Sequence, residues 1–182
     1  MNTSMNRGLF FLTAVLILAA DAVTKWLVVT NMQMYESHNI VGDYIRLTYI
    51  HNSGAAFGMF QGSRWPLVIV SLAAISVVTG IALRTGTRRA TALTLGLILG
   101  GAVGNLVDRL RLGEVIDFIN VGIGPHRWPV FNVADSAVTV GVVFLAIQLA
   151  LQDRRDGSAT AETSDSSSEA GDAGMASPSR GV

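Results

Sequence analysis

The sequence predicts an all-α membrane protein with four transmembrane helices and a small extracytoplasmic β element. Three observations support this prediction. Of the 182 residues, 50% are hydrophobic and only 14% are charged, whereas an ordinary soluble domain has about 25% charged residues. The mean hydropathy is positive, at +0.46. Four mostly apolar runs also approach the roughly 20 helical residues that cross a bilayer core.

Charge and cysteine content exclude several classes of function. Thirteen Lys and Arg residues balance thirteen Asp and Glu residues, and no basic run could follow a phosphate backbone, so we expect no nucleic-acid binding. The chain has no cysteine. It therefore has no disulfide framework, no thiolate metal site and no cysteine nucleophile.

The first predicted span covers about residues 8–30. An uncharged run ends at Ala20 and is followed by Asp21 and Lys25. Residues 1–22 also fit a signal peptide with a small-residue cleavage site. Apolar character resumes after Lys25, so the whole stretch is long enough to span. Asp21 and Lys25 also lie one helical turn apart, as an ion pair would, and this favours the transmembrane interpretation.

The other three spans are predicted at about 65–83, 90–107 and 130–152. The second and third carry no charge and are joined by a short Arg-rich loop, which predicts a helical hairpin. The fourth carries only Asp135. We therefore expect a membrane domain over residues 1–156. Residues 157–182 contain no Leu, Ile or aromatic residue, which predicts a disordered cytoplasmic tail.

A β element is predicted at about residues 36–63. The segment between the first two spans is too long and too polar for a tight turn, and residues 44–50 alternate with period two. This alternation puts Ile45, Leu47 and Tyr49 on one face. We expect a small sheet outside the bilayer.

Loop charges predict the orientation. Four spans put both termini and the 84–89 loop on one side, and three of the six residues in that loop are Arg. The positive-inside rule then places both termini in the cytoplasm. Trp26, Trp65 and Trp128 fall at the opposite interface, as an aromatic belt would.

Ionisable groups within or beside the spans are candidates for function, because they are costly in lipid. By parity they all lie toward the outer face, where we expect them to form one site: Asp21, Lys25, Asp108, Arg109, Asp117 and Asp135.

Asp117 and Asp135 both have apolar neighbours. Two such carboxyl groups in a low-dielectric pocket would share a proton, so that one activates a water and the other donates to a carbonyl. Spacing alone favours a simpler interpretation, with an ordinary helix N-terminal residue at Asp135 and a loop carboxylate at Asp117. Asn105 and Arg109 share a face of the third span and could line the same cleft or only support the structure.

The three histidines, His38, His51 and His126, lie far apart in the sequence and lack metal-ligand spacing. We interpret them as solvated loop residues. We expect no metal and no cofactor.

Five ordered motifs resemble those of the lipoprotein signal peptidases, the type II signal peptidases of bacteria. The resemblance runs from about Leu9 to Gln152. The motifs are Asp21-Ala-Val-Thr-Lys25, Asn52-Ser-Gly-Ala-Ala-Phe-Gly58, Gly100-Gly-Ala-Val-Gly-Asn105-Leu-Val-Asp-Arg109, Gly113-Glu-Val-Ile-Asp117-Phe118 and Phe131-Asn-Val-Ala-Asp135-Ser136.

This resemblance implies a membrane aspartic endopeptidase with Asp117 and Asp135 as catalytic residues. Its substrates would be diacylglyceryl-modified prolipoproteins, cut on the N-terminal side of the lipidated cysteine in the bacterial cytoplasmic membrane, with membrane lipid around a monomeric enzyme. The resemblance also implies site support and substrate contacts by Asp21, Lys25, Asn52, Gly54, Asn105, Arg109 and Asn132.

A small ion- or proton-coupled transporter is the alternative, with the same ionisable residues forming a relay. A relay needs such groups at the midplane and in the far half of the bundle, where spans two and four carry only Ser, Thr and Gln. A purely structural scaffold would explain the spans but not the convergence of the charges.

Overall fold

The computed structural model describes residues 3–54, 62–84 and 88–173. The part of the predicted β element at 55–61 lies outside the described residues. Eight elements follow in chain order: α1 Thr3–Asn31, β1 Ser37–Val41, β2 Ile45–Asn52, α2 Arg64–Arg84, α3 Arg89–Leu112, β3 Val115–Ile123, β4 His126–Arg127 and α4 Val133–Ala173.

Among the described residues, four helices are long and apolar enough to cross a membrane, in agreement with the predicted number of spans. The qualifying segments are Asn6–Asn31, Arg64–Leu83, Arg89–Leu112 and Val133–Arg154. The third helix extends past its predicted end at residue 107, so Asp108 and Arg109 lie on α3 itself. The left-handed backbone of Gly113 (φ 83°) then ends the helix, and its N–H donates to the carbonyl of Arg109.

The fourth helix begins at Val133 rather than at 130 and continues to Ala173, well beyond the predicted end of the span at 152. Ala and Glu in this stretch favour helix, and no proline interrupts it before Pro178. Disorder of residues 157–182 stays a prediction, and residues 174–182 lie outside the described residues. The chain forms two compact units, Met1–Leu145 and Ala146–Val182. The second consists, where described, of the continuation of α4.

The four strands form one antiparallel sheet in the order β1-β2-β3-β4. The predicted β element contains β1 and β2, whereas β3 was not predicted. The first four residues of β3 are all buried, so its hydrophobic run has no period-two alternation to identify it as a strand. Ile50 pairs with Asp117 and Asn52 pairs with Val115, so β2 and β3 bring two distant motifs side by side.

Helix α3 packs closely against both α1 and α4. A Cβ atom on Gly100 would lie 2.6 Å from the carbonyl oxygen of Ala14 on α1, and one on Gly101 would lie 2.4 Å from that of Ala134 on α4. Glycine at these positions therefore permits backbone contact between the helices. An apolar cluster fills the bundle at the N-terminal half of α3: Phe10, Ala14, Val78, Ala82, Ala92, Leu95, Ile98 and Leu99.

A second apolar cluster joins the sheet to the end of α1. Its buried members are Val28 from α1, Tyr49 from β2, and Ile116 and Phe118 from β3. The sheet is therefore anchored on the helix bundle by the strand segments next to Asn52 and Asp117. This anchoring fixes the position of both residues relative to α1.

Candidate active site

Asp117 lies on β3 and is almost completely buried, with 1% of its surface exposed. Both of its carboxylate oxygens accept amide hydrogen bonds. Asn132 Nδ2 donates to Oδ1 at 2.8 Å, and Asn52 Nδ2 donates to Oδ2 at 2.8 Å. Asp117 is therefore a buried strand residue held on two sides, and not the loop carboxylate that spacing alone allowed.

Asp135 lies in the first turn of α4. Its side chain accepts a hydrogen bond from Asn105 Nδ2 at 2.7 Å and one from the backbone N–H of Asn132 at 3.3 Å. The position also matches the simpler interpretation of a helix N-terminal residue, because the helix dipole favours a negative charge there. Asn132 supplies the cap: its Oδ1 accepts the backbone N–H of Asp135 at 2.8 Å.

Three asparagines hold the two aspartates, and each amide has its oxygen occupied by a group that can only donate. The oxygen of Asn132 accepts the N–H of Asp135. The oxygen of Asn52 accepts the N–H of Gly54 at 3.0 Å. The oxygen of Asn105 accepts Lys25 Nζ at 3.2 Å. Each amide NH₂ is therefore directed at a carboxylate, and the hydrogen-bond network determines its orientation.

A buried charge cluster supports this network from behind. Lys25 Nζ lies 2.7 Å from Asp21 Oδ2 and 2.7 Å from Asp108 Oδ2, and all three side chains are at most 10% exposed. Asp21 Oδ1 also accepts the backbone N–H of Ala134 at 2.9 Å, and Asp108 Oδ2 accepts that of Ile116 at 3.3 Å. The cluster thus ties α1 and α3 to the backbone beside both aspartates.

Arg109 connects the same network to the segment after β2. Its guanidinium donates to the carbonyl of Gly54 at 3.4 Å and to that of Asn105 at 3.5 Å. All nine predicted site residues therefore lie in one connected set of contacts. Asp108, which the resemblance did not single out, belongs to it too.

The environment of Asp117 raises the pKa of its carboxyl group from 3.8 to about 7. Burial is the main cause, and the negative charge of Asp135 adds to it. The hydrogen bonds from Asn52 and Asn132 and the charge of Lys25 act in the opposite direction. Near neutral pH, Asp117 can therefore hold a proton beside a second carboxylate.

A cavity of about 280 Å³ lies between α1, α3 and the sheet, and it is lined in part by Lys25, Tyr49, His51, Asp108 and Arg111. It borders the charge cluster, whereas neither Asp117 nor Asp135 lines it. Among the described residues, no group of three His, Cys, Asp or Glu side chains could hold a metal ion.

The sequence analysis was wrong about His51, which is a half-buried strand residue and not a solvated loop residue. Tyr49 Oη lies 2.9 Å from His51 Nε2, and Glu114 Oε2 lies 3.2 Å from His51 Nδ1. Tyr49 and Glu114 were not singled out either. The period-two pattern put Tyr49 on the apolar face of β2, and extending it by two residues would have placed His51 there as well. His38 and His126 also lie on strands, β1 and β4, and are exposed.

Comparison with known proteins identifies the family of this chain. A family model described as signal peptidase (SPase) II matches residues 13–151, most of the membrane domain. The chain belongs to the signal peptidase II family. It is therefore a peptidase, and the resemblance read from the five motifs is confirmed.

Individual relatives agree with the family model. The chain is 43% identical over 144 residues to the lipoprotein signal peptidase of Bacillus subtilis (strain 168), covering 79% of this chain and 94% of that one. It is 44% identical over 143 residues to that of Moorella thermoacetica (strain ATCC 39073 / JCM 9320), covering 78% of this chain and 93% of that one.

Two solved structures share the fold. Both are described as bacterial membrane enzymes solved by the in meso method, and both are 31% identical to this chain. One has a TM-score of 0.74, covering 80% of this chain and 89% of its own. The other has a TM-score of 0.71, covering 78% and 92%. The predicted fold class is thus confirmed, and the chain is a bacterial membrane protein.

Proposed function

We propose that this chain removes the signal peptide from diacylglyceryl-modified prolipoproteins, cutting on the N-terminal side of the lipidated cysteine. Asp117 and Asp135 are the catalytic pair. Membership of the signal peptidase II family and the names of the relatives support the reaction. One structural observation supports the pair: three asparagines of fixed orientation direct their NH₂ groups at these two carboxylates.

The roles of the two aspartates follow from their surroundings. Asp117 carries the shared proton, because burial and the charge of Asp135 raise the pKa of its carboxyl to about 7. Asp135 is the proposed base, since it lies at a helix N-terminus and accepts two hydrogen bonds there. One acid and one base are therefore present together near neutral pH.

Proton transfer proceeds in two steps. In the first, Asp135 takes a proton from water as the water oxygen bonds to the scissile carbonyl carbon, and Asp117 gives its proton to the carbonyl oxygen. In the second, Asp117 takes a proton back from a hydroxyl of the resulting diol, and the C–N bond breaks. Asp135 then protonates the leaving nitrogen. Both carboxyl groups return to their starting states, so the chemistry of the pair requires no cofactor.

The membrane contributes proximity. Enzyme and lipid-anchored substrate both diffuse in two dimensions, and the anchor fixes the depth at which the scissile bond meets the pair. We place this pair at the extracytoplasmic face, with both termini in the cytoplasm, on the basis of the arginines at positions 84, 88 and 89. A reporter fused after Asp156 should score as cytoplasmic. An extracytoplasmic score would overturn this orientation.

The transporter alternative has less support. Every buried charged side chain in the described part of the chain, namely Asp21, Lys25, Asp108 and Asp117, belongs to the one network around the aspartates. A relay across the bundle would need further groups in the other half. Monomeric action and contacts with membrane lipid stay predictions.

The test replaces each aspartate with asparagine. Asp117→Asn and Asp135→Asn should each abolish prolipoprotein cleavage while the protein still inserts, because asparagine keeps the shape and removes the titration. The double variant should be no worse than either single variant, since both disable the same unit. In the wild type, kcat should fall as the pH rises through about 7, where Asp117 loses its proton.

Asn39→Asp serves as the matched control, because it changes the same pair of residue types on the exposed strand β1. Its activity should equal that of the wild type. Wild-type turnover by either single aspartate variant at matched expression would refute the proposal.

A further inference from the structure

Side chains from the end of β2 and from the turn before β3 form a hydrogen-bonded bridge one residue away from the active site. The bridge consists of Tyr49, His51 and Glu114. Both ring nitrogens of His51 are occupied, by Tyr49 Oη at 2.9 Å and by Glu114 Oε2 at 3.2 Å. The rings of Tyr49 and His51 also meet edge to face, with centroids 5.5 Å apart.

The bridge joins the two backbone segments that carry Asn52 and Asp117. His51 immediately precedes Asn52, and Glu114 lies between the helix-ending Gly113 and the first residue of β3. In the ladder, His51 pairs with Ile116 and Asn52 pairs with Val115. The His51–Glu114 contact therefore joins β2 to the start of β3 at the end of the ladder, beside the Asn52–Val115 pair, and the side chain of Asn52 reaches Asp117 from there.

His51 itself does not touch the aspartates. It lines the cavity of about 280 Å³ whose walls include neither Asp117 nor Asp135. The shortest covalent route from His51 to the pair is the backbone to Asn52, whose Nδ2 lies 2.8 Å from Asp117 Oδ2.

We propose that His51 and Glu114 are positioning residues, which hold β2 against β3 so that Asn52 keeps its hydrogen bond to Asp117. The inference rests on the proposed catalytic role of Asp117. In the tautomer that satisfies every contact, His51 Nδ1–H donates to Glu114 and the hydroxyl of Tyr49 donates to Nε2. A glutamine side chain offers one donor and one acceptor and can reproduce both contacts, whereas leucine reproduces neither.

The bridge predicts a specific change in pH dependence. The hydrogen bond from Asn52 lowers the pKa of Asp117 and opposes the effect of burial. If the bridge is lost and Asn52 no longer donates, the pKa of Asp117 rises further above about 7. The alkaline limb of the rate profile then moves to higher pH.

Other charged groups face these residues but are left in place by the substitutions. Asp117 faces Asp135 of α4, Lys25 of α1 and Arg109 of α3. Across the cavity, His51 faces Asp21 and Lys25 of α1 and Asp108 and Arg111 of α3. If the alkaline limb of the rate profile shifts in both the His51 and the Glu114 variants, the shift is therefore due to the loss of the contact between these two residues.

The experiment compares His51→Leu, His51→Gln, Glu114→Ala and the double variant His51→Leu/Glu114→Ala in prolipoprotein cleavage. His51→Leu and Glu114→Ala should each lower kcat about tenfold, the effect of losing one ordinary hydrogen bond in the transition state, with KM unchanged. Both variants should move the alkaline limb of the rate profile to higher pH, and so should Asn52→Leu. His51→Gln should resemble the wild type, and the double variant should be no worse than the worse single variant.

The chain offers a matched control in a second histidine–glutamate contact. His38 Nε2 lies 2.8 Å from Glu36 Oε1 on the exposed edge of the sheet. His38→Leu should leave both kcat and the pH profile unchanged. If His51→Leu does not fold, Glu114→Ala decides the question, because Glu114 is partly exposed at 41% of its side chain.

An unchanged alkaline limb in folded His51→Leu or Glu114→Ala protein would overturn the inference, as would failure of His51→Gln to retain activity. The proposed function fails separately, if either Asp117→Asn or Asp135→Asn keeps wild-type turnover. Wild-type behaviour of the bridge variants together with an inactive Asp117→Asn variant would refute the bridge alone.

Discussion

Along a single face of α3, the glycine nearest the active site meets a carboxylate, whereas those farther away meet apolar groups and backbone. A Cβ atom on Gly100 would lie 2.6 Å from the carbonyl oxygen of Ala14 and 2.8 Å from Cβ of Ile17. One on Gly104 would lie 2.6 Å from Oδ2 of Asp21. Gly100 and Gly104 lie four residues apart on one face of α3. Gly100 belongs to an apolar region that is held together by packing, and Gly104 belongs to a polar region that is held together by charge.

The two regions should respond differently to substitution. In the apolar half, side chains such as Leu95, which is fully buried, contribute to stability and touch nothing in the network. In the polar half, each group contributes to stability and also sets the position of a carboxylate of the proposed catalytic pair. Damage to the first region should lower the amount of folded protein, and damage to the second should lower turnover per folded molecule.

The strongest expected contrast is between Lys25→Met and Leu95→Ala. Removing the ammonium group leaves Asp21 and Asp108 buried without their counter-charge, a cost of about 3–5 kcal/mol. It also removes one of the two donors, with Asn132 Nδ2, that orient the amide of Asn105 toward Asp135. We expect no measurable cleavage. Leu95→Ala should also destabilise, by about 2–5 kcal/mol, but should keep the wild-type kcat in the molecules that remain folded.

Thermal unfolding in detergent and cleavage per folded molecule measure these two quantities separately. Wild-type turnover in folded Lys25→Met protein would show that the charge cluster is only structural.

The next largest contrast is between Gly104→Ala and Gly100→Ala. A methyl group at position 104 pushes against the end of the Asp21 side chain, which can move but then weakens its contacts with Lys25 and the N–H of Ala134. We expect a fold that survives and a kcat about tenfold lower, equivalent to one ordinary hydrogen bond. At position 100 the obstacle is backbone, so the loss should be in stability.

Purified yield, melting temperature and kcat of both glycine variants test this contrast. If the variants lose stability and kcat in the same proportion, the division of α3 into two regions is wrong.

A smaller effect is expected for Asp108→Asn. Lys25 keeps its ion pair with Asp21 at 2.7 Å, and the amide oxygen of the new asparagine can still accept the N–H of Ile116. Turnover should fall only a few-fold, by about 1 kcal/mol in activation free energy. Asp153→Asn, at an exposed position, is the control. Complete loss of activity in inserted Asp108→Asn protein would place Asp108 among the catalytic groups.

The smallest effect should come from deleting residues 157–182. This segment has no Leu, Ile or aromatic residue, and every predicted site residue precedes it. Insertion and kcat should stay within about twofold of the wild type, since such surface changes are usually worth less than 0.5 kcal/mol. A deletion starting at Ala146, which also removes the last part of the fourth span, Val133–Arg154, is the comparison and should abolish activity. A large loss of kcat in the well-expressed shorter truncation would contradict the prediction.

The sequence predicted the spans well because twenty apolar residues in a row have few alternatives in a bilayer. It predicted the site residues because their motifs resemble a known family. Spacing alone left Asp117 and Asp135 with simpler interpretations. What brings them together is the pairing of β2 with β3, and β3 carries no alternation because its first residues are buried on both faces.

The orientation of the three asparagine amides could not be predicted from the sequence either. Asn52, Asn105 and Asn132 each needed a second partner, a backbone N–H or an ammonium group, to fix which end of the amide meets the carboxylate. Those partners come from other elements or from local turn geometry. His51 was misjudged for a related reason: the alternation of β2 extends to it from Tyr49, but nothing in the sequence indicates that Glu114 contacts the other side of its ring.

The hydrogen bond between Asp21 and the N–H of Ala134 joins the first span of the chain to the last, across 113 residues. During synthesis, α1 enters the membrane long before α4 exists. The support for Asp135 is therefore complete only when the final span has inserted beside the first. Under the proposed roles of Asp117 and Asp135, a chain without the fourth span lacks the second carboxylate, so proteolytic activity begins only after that span has inserted.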